Sequence, residues 1–478
     1  MARKASSSRH TGVIAVLILL MLGMIAGTVY LIKLCLDIPN RTAVPRPTEG
    51  TSLFAPTEST ETEAPTETTM PEPEHVVSTA TIGSMGDLLM HEPIFDDFRK
   101  YNAAVQKSDG SYDFESVFRY LTDYTTALDY AVANLETTLA GTDNGYAYSG
   151  YPNFNCPDSV VDGAREAGFD MLLTANNHSY DTSLVGYKRT LEVVREKGLE
   201  TLGTYASSEE TKWTVKTIND INIGMLCYTY ATSVTADGRP SLNFMPSIEE
   251  PGLCNYFHAD NLQKFYDEVA GYLEEMEAAG AEATVLYIHW GVEYVTEPNE
   301  QQKAIAQALC DLGIDVIVGG HPHMVQPVQL LESTTDPEHK TVCLYSMGNA
   351  VSNQRLGNLQ SVKTAHTEDG VLFSVTFEKY SDGTVYLAEA EIIPTWVNMH
   401  LNENKKTEYN ILPLDYDRLD EWKTMFEIED GTLNAAKNSY ARTMAIVGDG
   451  LEACQTYLAQ QKQAREEYYY QLVYGTEE

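Results

Sequence analysis

Cysteine is scarce in this sequence, which has 7 in 478 residues, and no pair lies in the Cys-x-x-Cys spacing of a zinc ribbon or a redox site. The odd number and wide scatter disfavour a disulfide framework, and the lack of a cluster disfavours a closed structural zinc site. We predict that the cysteines are isolated thiols, most of them in a core: Cys35, Cys156, Cys227, Cys254, Cys310, Cys343 and Cys454.

Basic residues are also few. The chain has 32 Lys and Arg against 69 Asp and Glu, which gives a net charge of -37 at pH 7. A surface this acidic repels phosphate backbones, so we expect no nucleic-acid partner. It also repels other polyanions, so contact with an anionic polymer has to be screened by metal or confined to a site. The hydrophobic content of 43% is nevertheless ample for a core.

Charge is absent from residues 11–32, which are dominated by Leu, Ile, Val, Met, Ala and Gly. As a helix rising about 1.5 Å per residue, this run is long enough for a hydrocarbon core about 30 Å thick. More basic residues precede it than follow it closely, which by the positive-inside rule leaves the amino terminus in the cytoplasm. We predict a cytoplasmic tail over residues 1–10 and a transmembrane signal anchor over residues 11–36 in the cell membrane, with the main domain extracellular. A cleaved signal peptide is the alternative.

Apolar residues are sparse again in the next segment, which consists mainly of Thr, Pro, Glu, Ser and Ala. Such a composition buries too little apolar area to offset chain entropy, and proline with like charges keeps the chain extended. We predict a disordered stalk over residues 37–76 that places a domain away from the bilayer.

Beyond the stalk, short apolar runs alternate with amphipathic stretches. Val76 to Met85 and Ile221 to Tyr230 read as strands, and Ser159 to Ala167 reads as a helix. This alternation predicts right-handed β-α-β units, and the later strand-rich part predicts a mixed or antiparallel sheet. We therefore expect an α/β domain over residues 77–400, followed by a mostly helical, peripheral extension over residues 401–478.

Polar residues of the metal-ligand type follow five of the predicted strands. One such residue alone is most often a helix cap, a turn or a buried ring, but five strand ends in one domain favour a shared site. Active sites in α/β sheets form at these carboxyl ends. Mixed carboxylate, amide and imidazole ligands suit Mn, Fe or Zn better than Ca. The residues are Asp87 and His91, then Glu136, then Asn176, Asn177, His178 and Asp181, then His289 and Glu293, and finally His321 and His323.

The last of these strand ends is the most distinctive. Val316 to Val318 has the length and β-branched content of a buried strand, and Gly319-Gly320 frees the backbone to turn. His321 and His323 follow at once, separated by a proline that discourages helix. Side chains two apart in an extended segment point the same way, so we predict that both imidazoles face one point, as metal ligands do.

These motifs also carry a family resemblance. Gly86-Asp87, Asn134-Leu135-Glu136, Ala175 to Asp181, His289 to Tyr294, Gly320 to Gln326 and Tyr345 to Asn349 together resemble the CapA family of capsule and poly-gamma-glutamate biosynthesis proteins. The resemblance covers about residues 79 to 355. It implies a metallophosphatase-like, calcineurin-like layered α/β sandwich. It also implies an outward-facing protein that makes, exports or anchors poly-gamma-glutamate or a related surface polymer, with a membrane polymer synthase complex and an anionic surface polymer as partners.

The more distant similarity to calcineurin-like phosphoesterases implies roles for individual residues. In those enzymes a bridging carboxylate with Asp, Asn and His residues holds two divalent metals, and the His of an Asn-His pair assists the leaving group. Carried over to this sequence, His178 is the general acid and Asp181 orients it. The implied metal ligands are Asp87, Glu136, Asn177, His289, His321 and His323, and further candidates for the site are His91, Asn176, Glu293 and Asn349.

Three functions remain open from the sequence. The first is a CapA-like protein of surface-polymer synthesis or export with a metal site that hydrolyses or transfers a phosphoester or amide-linked bond. The second is a general extracellular metallophosphoesterase. The third is a polymer-binding or scaffold subunit of a polymer synthase that has no catalytic activity. Metal content and turnover of a model phosphodiester distinguish among them.

Overall fold

The structure is a computed structural model that describes residues 72–96, 101–143, 145–358 and 362–475. Within these ranges no helix has the length and apolar character needed to cross a membrane. The predicted cytoplasmic tail and transmembrane anchor lie outside the described residues, as does the predicted stalk up to residue 71.

Seventeen strands are found in the described residues, and we number them in chain order. The first eight are β1 (Val76–Leu88), β2 (Tyr130–Asn134), β3 (Met171–Leu173), β4 (Glu200–Leu202), β5 (Thr214–Ile218), β6 (Ile221–Tyr230), β7 (Ser233–Val234) and β8 (Pro240–Ser241). The others are β9 (Tyr256–Phe257), β10 (Ala283–His289), β11 (Val316–Gly320), β12 (Val325–Glu332), β13 (Lys340–Met347), β14 (Asn349–Val351), β15 (Asp369–Tyr380), β16 (Val385–Leu401) and β17 (Thr407–Pro413).

Helices connect and cover these strands. They are α1 (Glu92–Phe95), α2 (Glu115–Phe118), α3 (Thr122–Thr125), α4 (Ser159–Glu166), α5 (Ser183–Glu196), α6 (Leu262–Ala278), α7 (Glu300–Asp311), α8 (Trp422–Met425) and α9 (Asp430–Tyr474). Local chemistry explains where α7 begins: Asn299 and Gln302 form a capping box, in which each side chain accepts a hydrogen bond from the other's backbone N–H.

The strands form two large mixed sheets. The order of the first sheet is β17-β16-β15-β1-β2-β3-β4, with β14 also paired to β1. The order of the second is β12-β13-β11-β10-β6-β5, with β9 paired to β6. Strands β1 to β4 run parallel, as do β6, β10, β11 and β13, while β15, β16 and β17 extend the first sheet in antiparallel fashion. The α/β fold expected from the sequence is confirmed.

The two sheets pack face to face between layers of helices. In β6, Met225 and Cys227 belong to the cluster between the sheets, whereas Leu226 and Tyr228 belong to the cluster beneath α6 and α7. This is the two-residue alternation of a strand with both faces buried, and it explains why β6 reads as a nearly continuous apolar run. Helices α2, α4 and α5 cover the outer face of the first sheet in the same way.

The carboxyl-terminal part is mostly helical, as predicted, but it is integrated with the sheets and is not peripheral. Strand β17 pairs with β16 and continues the first sheet beyond residue 400. Helix α9 packs along β16 and β12. Its buried residues between Ala436 and Leu458 recur every three or four positions and form one stripe: Ala436, Ser439, Thr443, Val447, Leu451, Cys454 and Leu458.

The prediction for the cysteines is confirmed where the structure describes them. The six cysteines in the described residues are buried and unpaired. Cys35 lies outside the described ranges.

Candidate metal centre

The carboxyl ends of parallel strands from both sheets meet at one place. Asp87 lies at the end of β1 and pairs in register with Asn349 of β14. His289 is the last residue of β10, and β11 ends at Gly320, immediately before His321. The chain passes from the second sheet to the first between β13 and β14, where the backbone N–H of Asp87 donates to the carbonyl of Gly348 at 3.1 Å. This crossing brings side chains from the two sheets together.

Two groups of buried side chains could hold a divalent metal ion, and they share Glu136. One group contains Glu136, His321 and His323, and the other contains Asp87, Glu136 and His289. Within each group, one potential ligand atom per residue lies within 4.8 Å of the others. Asn177 adjoins the second group, because its Oδ1 is 2.8 Å from Nε2 of His289. All six residues predicted as ligands are therefore brought together, and their roles as ligands stay predictions.

Glu136 is the carboxylate shared by both groups, and a negative charge on it is energetically unfavourable in this buried environment. The side chain is fully buried, and neither carboxylate oxygen makes a hydrogen bond. Burial, followed by the charge of Asp87, raises the pKa of Glu136 well above its usual value. A buried carboxylate without hydrogen-bond partners needs a compensating positive charge, and a divalent cation supplies one. The residues present therefore fit a metal.

Two of the imidazoles, those of His289 and His321, are in the form that binds metal. Burial lowers the pKa of His289 to about 3 and lowers that of His321 well below its usual value. Both rings are therefore neutral at physiological pH, and a neutral ring nitrogen is the metal ligand. In addition, Nδ1 of His321 is buried without a hydrogen-bond partner. This orphaned atom is a second observation that fits a metal.

The Gly-Gly-His-Pro-His stretch differs from the expected geometry. Gly319 and Gly320 do not form the turn, since both belong to β11. A Cβ at Gly319 would lie 2.0 Å from the carbonyl oxygen of Tyr345, so close approach of β11 and β13 requires glycine there. The left-handed residues are instead His321 and His323, with φ of 96° and 54°. Their ring centroids are nevertheless only 5.9 Å apart.

Further hydrogen bonds fix the orientation of Asp87 and His323. Asn134 donates to Oδ1 of Asp87 at 2.7 Å, and Oδ2 of Asp87 lies 3.0 Å from Nδ1 of His323. Burial alone would raise the pKa of Asp87, but the hydrogen bond and charge of His323 outweigh it and lower the pKa. Oδ1 of Asn349 lies 3.2 Å from the same His323 nitrogen. Asn349, a further candidate from the sequence, thus contacts a ligand residue.

The predicted acid pair forms beside the two ligand groups. Nδ1 of His178 is 2.7 Å from Oδ2 of Asp181, and both side chains are buried. The backbone N–H of Phe154 donates to the same carboxylate oxygen at 2.7 Å. Asn243 Nδ2 lies 3.3 Å from the other oxygen of Asp181 and 3.3 Å from Nδ1 of His178. These contacts restrain the His178 ring, and the roles of His178 as acid and of Asp181 as the residue that orients it stay predictions.

The remaining candidates lie around the site. His91 is in neither ligand group. Its Nδ1 is 3.1 Å from the carbonyl of Leu89, and its ring meets the edge of Phe154. Asn176 donates to Asn134 at 3.1 Å and accepts from the backbone N–H of His178. Glu293 is exposed, yet its charge contributes to raising the pKa of Glu136.

Several residues of the site were not predicted from the sequence, among them Asn243 and Tyr294. Asn243 lies between β8 and β9, far along the chain from Asp181, and no local pattern marks it. Tyr294 stands next to Glu293 at the end of a recognised motif, so its position did carry a signal. Its ring centroid is 6.1 Å from that of His323.

The fold and site define a class: a layered α/β protein with a buried cluster of carboxylates and imidazoles at the strand ends. The family model "Bacterial capsule synthesis protein PGA_cap" matches residues 81–354. This range includes every candidate site residue. The chain belongs to this family, as the resemblance to CapA proteins implied.

Relatives agree with this assignment. The chain is 27% identical over 277 residues to the capsule biosynthesis protein CapA of Bacillus anthracis, a match covering 57% of this chain and 60% of that protein. It is 26% identical over 321 residues to the PGA biosynthesis protein CapA of Bacillus subtilis (strain 168), covering 67% of this chain and 75% of that protein. Sulfate thiohydrolase SoxB of Thermus thermophilus, solved with glycerol, is similar at 14% identity over 73% of this chain and 59% of that one. Its TM-score of 0.35 is too low to support an argument.

Proposed function

We propose that this protein is a membrane-anchored, extracellular member of the family that acts in the synthesis, export or anchoring of poly-gamma-glutamate or a related capsule polymer. It does so through a metal-dependent hydrolase or transferase site of the metallophosphatase type. The name of the Bacillus subtilis relative supports poly-gamma-glutamate (PGA) as the polymer. The name of the Bacillus anthracis relative and the family match over residues 81–354 support a role in capsule synthesis.

The observation that carries the proposal is the position of Glu136. It belongs to both ligand groups, and its two carboxylate oxygens are buried without hydrogen bonds. A carboxylate with both oxygens free of hydrogen bonds could bind two ions. His321 and His323 would hold one ion, and Asp87, His289 and Asn177 would hold the other. When bound, two divalent ions supply Lewis acidity to the transferring group and acidify a water molecule.

The protein's own residues supply the proton. Oδ2 of Asp181 accepts a hydrogen bond from Nδ1 of His178, which leaves Nε2 of the same ring to hold the proton given to a leaving oxygen or nitrogen. Phe154 and Asn243 restrain the carboxylate, so the ring keeps one orientation. His178 is the general acid in this proposal, and Asp181 is a positioning residue.

The location and partners are part of the same proposal. The uncharged run over residues 11–32 anchors the protein in the cell membrane, and the stalk carries the α/β domain outward. There it works with a membrane polymer synthase complex and meets the anionic polymer only at the site. The net charge of -37 supports this restriction, because the rest of the surface repels a polyanion.

Metal content is the first test. The full-length chain is purified in detergent, loaded with manganese, iron or zinc, desalted and measured by elemental analysis. We expect about two ions per chain, and a loss of at least one in His321→Ala and in Glu136→Gln. His75→Ala and Glu389→Gln, which alter exposed residues, are the matched controls and retain the metal. A wild-type chain that takes up no divalent metal contradicts the proposal.

Turnover and polymer production are the second test. The loaded chain should hydrolyse a model phosphodiester, and His178→Ala should slow this reaction by about 10²- to 10⁴-fold. In cells whose own copy is deleted, the wild-type chain should restore surface polymer and His178→Ala should not. Turnover without any effect on polymer favours a general phosphoesterase instead. Restoration of polymer by His178→Ala and His321→Ala alike favours a scaffold without catalysis.

A further inference from the structure

Asn349 lies beside the candidate ligands, at the point where the two sheets join. It is the first residue of β14, it is fully buried, and it lies opposite Asp87 in the register of β1 and β14. The sequence marked it as a further candidate for the site without a role. A buried amide has to satisfy its hydrogen-bonding atoms, so its contacts indicate what it does.

Acceptors on one side fix the orientation of this amide. Nδ2 of Asn349 donates to the backbone carbonyl of Thr367 at 2.9 Å, to Oε1 of Gln354 at 3.0 Å and to the backbone carbonyl of His323 at 3.3 Å. Backbone carbonyl oxygens only accept hydrogen bonds, so the flipped amide would place Oδ1 against two acceptors. The nitrogen therefore faces this side whichever way the Gln354 amide is turned, and Oδ1 faces the other side.

Oδ1 of Asn349 faces the ring of His323. It lies 3.2 Å from Nδ1, and Oδ2 of Asp87 lies 3.0 Å from the same nitrogen. An amide oxygen and an ionised carboxylate are both acceptors, so Nδ1 carries the hydrogen that they share. In a neutral imidazole the lone pair is then on Nε2, which lies 3.9 Å from Oε1 of Glu136. The ring thus turns its metal-binding nitrogen toward the carboxylate shared by both ligand groups.

Asn349 also holds the backbone of His323. The amide that accepts from the ring donates to the backbone carbonyl of the same residue. His323 has a φ of 54°, in the left-handed region that non-glycine residues seldom occupy, and such backbone persists only where the surroundings impose it. One side chain therefore restrains both the main chain and the ring of a candidate ligand.

Asp87 is the other acceptor for the ring, but it is itself a candidate ligand. A carboxylate oxygen that binds an ion is shared between the ion and the ring. Oδ1 of Asn349, in contrast, has no hydrogen-bond partner besides Nδ1 of His323 among the described residues. Partners of this kind, which do not touch the metal, fix the tautomer and the orientation of a metal-bound histidine. Asn349 is therefore the acceptor that serves His323 alone.

We propose that Asn349 is a positioning residue of the metal centre. It keeps the hydrogen of His323 on Nδ1 and thereby presents Nε2 of that ring to the ion that Glu136 and His321 also hold. This inference rests on the proposed metal centre, and it adds a residue that determines how strongly the centre binds its ion.

The test measures metal affinity and needs no turnover. Manganese is titrated into the metal-free full-length chain in detergent, in competition with a chelating dye, and circular dichroism checks that each variant is folded. We expect Asn349→Ala to bind manganese about 10- to 100-fold more weakly at one of the two proposed sites. Asn398→Ala is the matched control and should bind manganese as the wild type does. Asn398 is also buried, and its Nδ2 lies 3.4 Å from Nδ1 of His400, which is in neither ligand group.

A double-mutant cycle separates positioning from general packing. His323→Ala removes the ring that Asn349 orients, so the addition of Asn349→Ala to it should weaken manganese binding no further. A purely structural loss would lower the affinity by the same factor in both backgrounds. NMR of the histidine ring nitrogens in the zinc-loaded wild type gives a readout that needs no variant of Asn349. The His323 ring, assigned by the signals lost in His323→Ala, should carry its hydrogen on Nδ1 and the zinc on Nε2.

The outcomes separate this inference from the proposed function. If the wild type binds metal and folded Asn349→Ala binds it equally well, the role of Asn349 is refuted and the metal centre stands. A further loss of affinity in the double variant, or zinc on Nδ1 of His323, also refutes that role. If Asn349→Ala does not fold, the nitrogen that binds zinc decides alone. If the wild type takes up no metal, both proposals fail.

Discussion

Nδ1 of His178 and Oδ2 of Asp181 lie 2.7 Å apart, both side chains are buried, and the two residues are three positions apart in the sequence. Asp181 accepts from this nitrogen and thereby fixes which nitrogen of the ring remains for the substrate. An amide in place of the carboxylate removes both the charge and the preference for one tautomer. We expect Asp181→Asn to lower phosphodiester turnover by about 10²-fold or more at unchanged metal content.

The measurement is kcat at saturating substrate, with metal determined on the same sample. Asp158→Asn is the control, because Asp158 pairs with Arg189 away from the site. Equal rates for Asp181→Asn and the wild type would remove Asp181 from the mechanism.

Asn243 restrains the same pair from a separate loop. Its Nδ2 is 3.3 Å from Asp181 and 3.3 Å from His178. We expect Asn243→Ala to reduce kcat by about 5- to 10-fold, the value of one hydrogen bond of about 1 kcal/mol. Its pH–rate profile should also shift, which a purely structural change would not produce. Asn404→Ala, in an exposed turn, should match the wild type in both readouts.

Glu136→Gln should change stability in opposite directions with and without metal. Because the pKa of Glu136 is raised in the fold, its charged form opposes folding of the metal-free chain at neutral pH. The isosteric amide removes that charge, so we expect the metal-free variant to be more stable by about 1–3 kcal/mol. The wild type should gain about 2.7 kcal/mol at a metal concentration 100 times the Kd, and the variant should gain less.

Thermal unfolding with a chelator and then with manganese measures both effects, and Glu389→Gln serves as the exposed control. A metal-free Glu136→Gln that unfolds below the wild type would mean that the carboxylate is satisfied without metal.

The contact of α9 with β12 can be tested with two glycines of the same helix. A Cβ at Gly450 would lie 1.9 Å from the carbonyl oxygen of Val328, whereas one at Gly448 would meet nothing closer than 3.9 Å. We expect Gly450→Ala to destabilise the protein by about 1–3 kcal/mol through overpacking. Gly448→Ala should stabilise it by about 0.5–1 kcal/mol, because alanine loses less backbone entropy in a helix.

Chemical denaturation of both variants gives the free energies of unfolding. If Gly450→Ala is as stable as Gly448→Ala, the helix does not pack against β12 as the structure has it.

Much of the fold followed from local pattern. The strand predicted at Ile221 to Tyr230 matches β6 residue for residue, and the helix predicted at Ser159 to Ala167 ends one residue beyond α4. The first is a nearly continuous apolar run and the second has a helical hydrophobic periodicity, and neighbouring residues alone encode both patterns. Strands β4, β9 and β14 were not predicted, because these segments of two or three residues lack a distinctive apolar run, and pairing to a neighbour defines them.

The candidate site, like the fold, was predicted only in part from local pattern. Asp87, Glu136, His289 and the two histidines after β11 were identifiable because they stand at the ends of predicted strands, and parallel strands bring such ends to one edge. The distances between them depend on how two sheets pack. The sequence therefore predicted which residues contribute, and the structure decided that Glu136 is the member shared by both groups.

By itself, the sequence determined the order of the longer strands and helices and which polar residues follow them, because both can be read from local pattern along the chain. Only the tertiary structure decided that Asn243 reaches the pair of His178 and Asp181, that Tyr294 lies over the His-Pro-His turn, and that α9 packs against β12. The reason is physical: these contacts join segments distant in sequence, and their geometry follows from the packing of the whole core, to which every segment contributes.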